Sequence, residues 1–168
     1  MAASSYSWDS FTVRIIVKAP LQKLYDGWAT GSGMEHWFLR VCQYQKPDGD
    51  WRHEREHAET GDSYRWLWHG WSDETVEYGK ILEANGKDLF SFSFGKAGNC
   101  IVRVFRDMGE NFVEITQENI PDDEQGRSHW HLGCKTGWTF YLANLKSMQE
   151  GGIDLRNKNE LLQGLVNA

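Results

Sequence analysis

Nowhere in this 168-residue sequence do five basic residues stand together, and acids outnumber bases 24 to 18, giving a formal charge of -6. Binding to a nucleic-acid backbone relies on clustered Lys and Arg, so no nucleic-acid partner is expected. Long apolar runs are also missing: none approaches the roughly 18 residues of a membrane span. The start, Met1 to Ser10, has neither the basic nor the apolar stretch of an export signal. A cytoplasmic protein without a membrane span is the expectation. Cysteine is scarce, and Cys42, Cys100 and Cys134 lie far apart in no CxxC pair. That argues against a disulfide framework and against a cysteine zinc site. Rings, by contrast, are abundant: 14% of residues are aromatic, and nine are Trp. Large rings bury much area per residue and can fill a core, line a pocket, or do both. The length suits one domain, which buries roughly 70% of its unfolded-chain surface at this size.

Periodicity orders the chain. Phe11, Val13, Ile15 and Val17 alternate with Thr12, Arg14, Ile16 and Lys18 between Ser10 and Ala19, the pattern of a half-buried strand. Pro20 suits a helix start, and Leu21, Leu24, Tyr25 and Trp28 recur with helical spacing. Gly31-Ser32-Gly33 breaks that helix, and Ser32 with Glu35 predicts a capping box for a second short one carrying Trp37 and Phe38. The polar stretch Gln45 to Asp62 reads as a surface excursion. Strand-like segments follow at Ser63 to Gly70, Thr75 to Glu83, Leu89 to Phe94, Cys100 to Arg106 and Phe112 to Ile120, separated by hairpin-type turns. After Pro121, Asp122 with Gln125 predicts a cap for a long helix from about Asp123 to Glu150, whose stripe includes Trp130, Cys134, Trp138, Tyr141, Leu142 and Leu145. Residues 158–168 read as a tail, with a short helix and a frayed end as alternatives.

Specific motifs add to this order: Leu24 to Trp28 leading to Glu35-His36-Trp37-Phe38, Gly61 to Trp66 with His69-Gly70-Trp71, and Gly137-Trp138 through to Arg156. In these the sequence resembles the SRPBCC (START-like) superfamily, in the branch similar to the C-terminal domain of activators of the heat-shock chaperone ATPase. The resemblance implies an α+β helix-grip fold over residues 10–157, with residues 1–9 as an N-terminal extension. A curved antiparallel sheet would wrap around the long C-terminal helix, enclosing a cavity for an apolar small-molecule ligand. Implied cavity residues are Trp37, Tyr64, Trp66, Trp68, Phe92, Phe94, Val102, Ile115, Trp138, Tyr141, Leu142 and Leu145. The family also holds cyclases, so a cyclase or hydrolase-like enzyme in the same cavity is one alternative. A co-chaperone-like interaction module, with a chaperone or homodimer contact, is the other.

Three chemical features can be weighed directly. His53-Glu54-Arg55-Glu56-His57 matches HExxH, a zinc motif when its two His share a helix face. Here it lies in a charged, glycine-bounded stretch with no obvious third ligand, so incidental surface histidines and no metal or other cofactor are expected. An enzyme would need an inward acid or base, for which Lys80, Glu77, Arg65, Arg103 and His69 are the strand candidates; His36 lies near the expected cavity mouth. Gly133 and Gly137 fall on one side of the long helix. Either the helix packs very closely there or a groove is left open.

Overall fold

Alternation in the first strand sets the inner face of the molecule, a computed structural model in which residues 5–166 are described. Phe11 and Val17 are buried and Val13 and Ile15 half-buried, while Thr12, Arg14, Ile16 and Lys18 are exposed. Strand β1 (Phe11–Ile16) leads into α1 (Leu21–Ala29) and α2 (Gly31–Trp37), then β2 (Val41–Gln45), β3 (Ser63–Leu67), β4 (Val76–Ala84), β5 (Leu89–Ser93), β6 (Asn99–Asp107) and β7 (Glu110–Glu118). The seven strands form one sheet in the order β1-β7-β6-β5-β4-β3-β2, with every pair antiparallel. Helical winding then runs from Glu124 to the end of α3 (Cys134–Gln149). This is the expected α+β helix-grip architecture: the helices cover the concave face of a curved sheet.

The curvature has an identifiable source. The first half of β4 pairs with β3, from Val76 to Lys80, and its second half pairs with β5, with a register shift between Ile81 and Glu83. A bulge of this kind bends the strand and increases its twist. Just before the bend, Tyr64 of β3 lays its ring across Gly79, where an added Cβ would sit 2.5 Å from the ring. Any larger residue at 79 would displace that ring from its stack on Trp66, whose centroid is 3.8 Å away.

Aromatic side chains dominate the core. Trp28, Trp37, Trp66, Tyr25, Tyr64, Phe90 and Phe92 are fully buried, and Phe38 joins α2 to Trp66, Trp138 and Tyr141. Burying each Phe among them contributes about 1.5–3 kcal/mol. Gln117, itself fully buried on β7, accepts a 2.9 Å hydrogen bond from Trp138 Nε1 and donates one to the Ala97 carbonyl.

Several local expectations are corrected. The cap of α2 is Thr30 rather than Ser32, its hydroxyl accepting from Gly33 N at 3.0 Å, so Gly31 to Gly33 lie within the helix. At the later helix start Asp123, not Asp122, accepts from Gly126 N, and residues Gly126–Gly133 wind as a π-helix before the α-helix resumes. Gly126 belongs there because an added Cβ would lie 1.7 Å from the Pro121 carbonyl oxygen. The surface excursion after β2 is tied to the body of the protein: Asp62 is fully buried against Arg52, Ala58 N donates to Ala29 O, and Ser32 N donates to Glu54 O. Residues 158–166 form no helix.

Three further ties close the structure. Arg156, its side chain only 4% exposed, donates to the carbonyls of Glu35, His36 and Leu39 and is gripped by Asp154. It thereby satisfies the orphan carbonyls at the end of α2. Asn144 of α3, fully buried, donates to Trp37 O and accepts from Leu155 N. At the other end, Tyr6 and the Trp8 carbonyl hold the two ring nitrogens of buried His131, at 2.7 and 2.8 Å. The carbonyl can only accept, so Nδ1 donates to it and Nε2 accepts from the Tyr6 hydroxyl in the neutral ring.

Candidate apolar cavity with an inward carboxylate

A cavity of about 450 Å³ opens between the helical segment 128–141 and the start of β4. Its size falls within the range of small-molecule sites, roughly 300–1,000 Å³. On the sheet side it is lined by Trp68 and Trp71, which follow β3, and by Phe94, which follows β5. On the helix side stand Trp130, Trp138 and Tyr141, and Phe38 closes the end next to α2. Gly133 and Gly137 complete the helix wall. An added Cβ at either would meet no atom within 4 Å, so the glycine face of the helix borders open space. Of the two alternatives that the sequence leaves for these glycines, close packing is thereby excluded. Val166 of the tail also borders the cavity.

The lining contains a single carboxylate, Glu77, and no Lys or Arg. Glu77 shares its face of β4 with Gly79 and Ile81, while Tyr78 and Lys80 point to solvent. It lies before the bend, beside Gly95 of the β5–β6 turn, where an added Cβ would come within 2.7 Å of Glu77 Oε1. Half-buried, it has no hydrogen-bond or ion-pair partner among the described residues, and burial raises its carboxyl above the usual carboxylate range. Cys134, a free thiol on the same wall, is also raised, first by burial and less by the nearby Glu77. The arrangement offers an apolar, ring-lined chamber with one unpaired acid.

The twelve residues implied by resemblance divide into two groups. Trp68, Phe94, Trp138 and Tyr141 border the cavity. Trp37, Tyr64, Trp66, Phe92, Val102, Ile115, Leu142 and Leu145 are buried in the core cluster behind it. Trp71, Trp130 and Glu77 line the cavity as well; Glu77 stood among the acid–base candidates, Trp130 in the helical stripe and Trp71 in the His69-Gly70-Trp71 motif, but neither ring was among the implied cavity residues. Of the remaining candidates, Lys80 bonds Ser63 and Arg65 bonds Gln43 on the solvent face, and Arg103 and His36 are exposed. His69 sits apart, its ring lowered from the usual histidine range first by burial and then by Arg156 and Lys158.

The HExxH segment adopts a turn at residues 54–55, not a helix. The spacing therefore does not bring the two histidines onto one helix face. His57 instead bonds Asp26 at 2.7 Å, and Arg52 gathers Glu56, Glu59 and Asp62 around itself.

No family model and no curated protein matches the sequence. Solved structures do match in three dimensions. The chain is similar to the protein SSP2350 from Staphylococcus saprophyticus, with a TM-score of 0.67 and 17% identity over 88% of this chain and 96% of that one. It is also similar to the Aha1 dimer from Colwellia psychrerythraea, with a TM-score of 0.63 and 16% identity over 85% of this chain and 97% of that one. DynU16, a protein from the dynemicin biosynthetic locus, gives 0.60 and 17% over 84% of this chain and 47% of that one. At these identities the likeness shows a shared fold and nothing finer. Among the described residues no helix is long and apolar enough to cross a membrane.

Proposed function

We propose that the protein binds a hydrophobic or amphipathic small molecule in the cavity between the sheet and the helix 124–149. The observation that carries this reading is the bare face at Gly133 and Gly137, which borders a cavity of about 450 Å³. Each glycine in a helix interior costs about 1 kcal/mol relative to Ala. Where no neighbour needs the room, that cost serves the empty space itself. Trp68, Phe94, Trp138 and Tyr141 are the proposed ligand contacts, and the deeper rings form a rigid floor that keeps the space from collapsing. The likeness to a protein from a biosynthetic locus is in keeping with a small-molecule role.

The reading is tested by titrating a neutral naphthylamine probe and following its fluorescence on excitation of the cavity tryptophans. Saturable binding of one probe per chain is expected, together with a small molecule recovered by mass spectrometry of the natively purified protein. Absence of saturable binding would overturn it. A second reading, association of two copies of the chain, is favoured by the dimeric neighbour. Sedimentation equilibrium decides it: a single monomeric species across micromolar to millimolar concentration rules it out.

A further inference from the structure

The charge of the cavity narrows the ligand class. We propose that the occupant carries a cationic end, an amine or quaternary ammonium group on an apolar body, held by Glu77 and the rings around it. This rests on the reading of the cavity as a ligand site.

Glu77 is directed inward by the alternation of β4, in the part of the strand that pairs with β3 and has not yet joined β5. An inward carboxylate normally finds an Arg, a Lys or several N–H donors, because an unpaired charge away from water is costly. Here no such partner exists among the described residues: neither Lys nor Arg lines the space, and His129, the one basic side chain that does, makes no bond to Glu77 and packs its ring on Trp130. The missing counter-charge is therefore one that an occupant can bring. An anionic ligand would be repelled. A neutral hydroxyl could donate one hydrogen bond to the carboxylate but would gain nothing special from the rings.

The rings favour a cation independently of the acid. Trp68, Trp71, Phe94, Trp130 and Trp138 surround the space, and the faces of such rings attract an ammonium group, most strongly when it is desolvated. A bound metal ion is a poorer fit, since among the described residues no three His, Cys, Asp or Glu side chains gather where they could hold one. An organic cation needs only one carboxylate and a ring-lined wall, and both are present.

Three probes sharing a naphthylethyl body test this by calorimetry: one ending in trimethylammonium, one in the tert-butyl group of the same shape, and one in a carboxylate. With the wild-type protein the ammonium probe is expected to bind at least about tenfold tighter than its neutral isostere, and the carboxylate weakest. Glu77→Gln keeps the side-chain shape, so it is expected to weaken the ammonium probe about tenfold while the isostere stays within about twofold. Unfolding midpoints of both proteins confirm that the variant is folded, and the wild-type comparison needs no variant. Equal binding of ammonium and isostere, tightest binding of the carboxylate, or an equal loss of both probes in Glu77→Gln would overturn the cationic proposal while the cavity reading stands. If none of the three probes binds, both fall.

Discussion

Gly137 offers the sharpest test, because open space and close packing demand opposite results from the same substitution. In the helix interior, replacing Gly by Ala gains about 1 kcal/mol from backbone entropy alone, provided the new methyl group meets no obstacle. At Gly137 the Cβ has nothing within 4 Å, so nothing offsets the gain. Gly137→Ala is thus expected to be more stable by about 1 kcal/mol in urea unfolding, or about 2–4 °C in midpoint for a chain of this size. Gly137→Leu should keep most of that gain, since Leu is nearly as good a helix former and its side chain would lie among Phe94, Trp138 and Tyr141. It would also occupy the ligand space, so affinity for a neutral fluorescent probe is expected to fall at least about tenfold. A helix packed tightly on the sheet would behave otherwise: overpacking would lower stability by about 1–3 kcal/mol in the Leu variant. Loss of stability in Gly137→Ala, or undiminished probe binding in a folded Gly137→Leu, would refute the reasoning.

Glu77→Gln should stabilise the protein at neutral pH. Burial raises the folded carboxyl above its unfolded value, so the folded state binds more protons between the two, and stability falls as pH rises through that window; unfolding of wild type and variant across acid to neutral pH should show that slope flattened in the variant. Asp154→Asn should cost about 2–3 kcal/mol near neutral pH by leaving the buried Arg156 guanidinium without its carboxylate. Burial opposes the charge of Asp154, but Arg156 and Lys158 outweigh it and hold the carboxyl well below the usual range. That stabilisation is present above about pH 4 and is lost as pH falls through the lower folded value, so the difference from Asn should shrink in acid. Gln117→Leu should cost about 2 kcal/mol or more in chemical unfolding, because it strands the Trp138 N–H and the Ala97 carbonyl at similar volume. Elemental analysis is expected to find no stoichiometric zinc; about one zinc per chain, lost on changing His53 and His57 to Ala, would contradict the turn geometry of that segment.

Where a segment's pattern is long enough to repeat, the sequence shows the fold. The alternation of Phe11 to Val17 and the helical stripe of α3 identify their elements, and the turn residues of the meander set β3 to β7 in order. Short or tertiary features leave no such trace. Strand β2 has five residues, of which only Cys42 and Tyr44 are buried, too few to show a period. Thr30 and Ser32 are both good caps, and only the structure shows that the helix starts at Gly31. The burial of Asp62 depends on Arg52, ten residues earlier, and the clamp on His131 depends on Tyr6 and Trp8, more than 120 residues away. No local window contains both partners of such contacts.

The candidate site was legible in chemistry but not in geometry. That rings and the two helix glycines would meet beside the sheet was implied by the family resemblance, with the glycine spacing in keeping with it; which rings border space is set by the three-dimensional packing. The handover at Ile81 and Glu83 leaves no signature in the residues themselves. Trp68 and Phe94, just past the ends of β3 and β5, reach the cavity, whereas Trp66 and Phe92, two residues earlier and within those strands, are sealed in the core. The acid could have been singled out by parity, since Glu77, Gly79 and Ile81 share a face and Ile81 is the kind of residue that points inward. Parity also separates it from Lys80, which looks equivalent in composition but faces solvent. A glutamine at 77 would fold as well or better by the physics of an unpaired half-buried charge. The carboxylate therefore contributes nothing to the fold that its amide would not, and its position on the cavity wall is where a contribution to binding would be made.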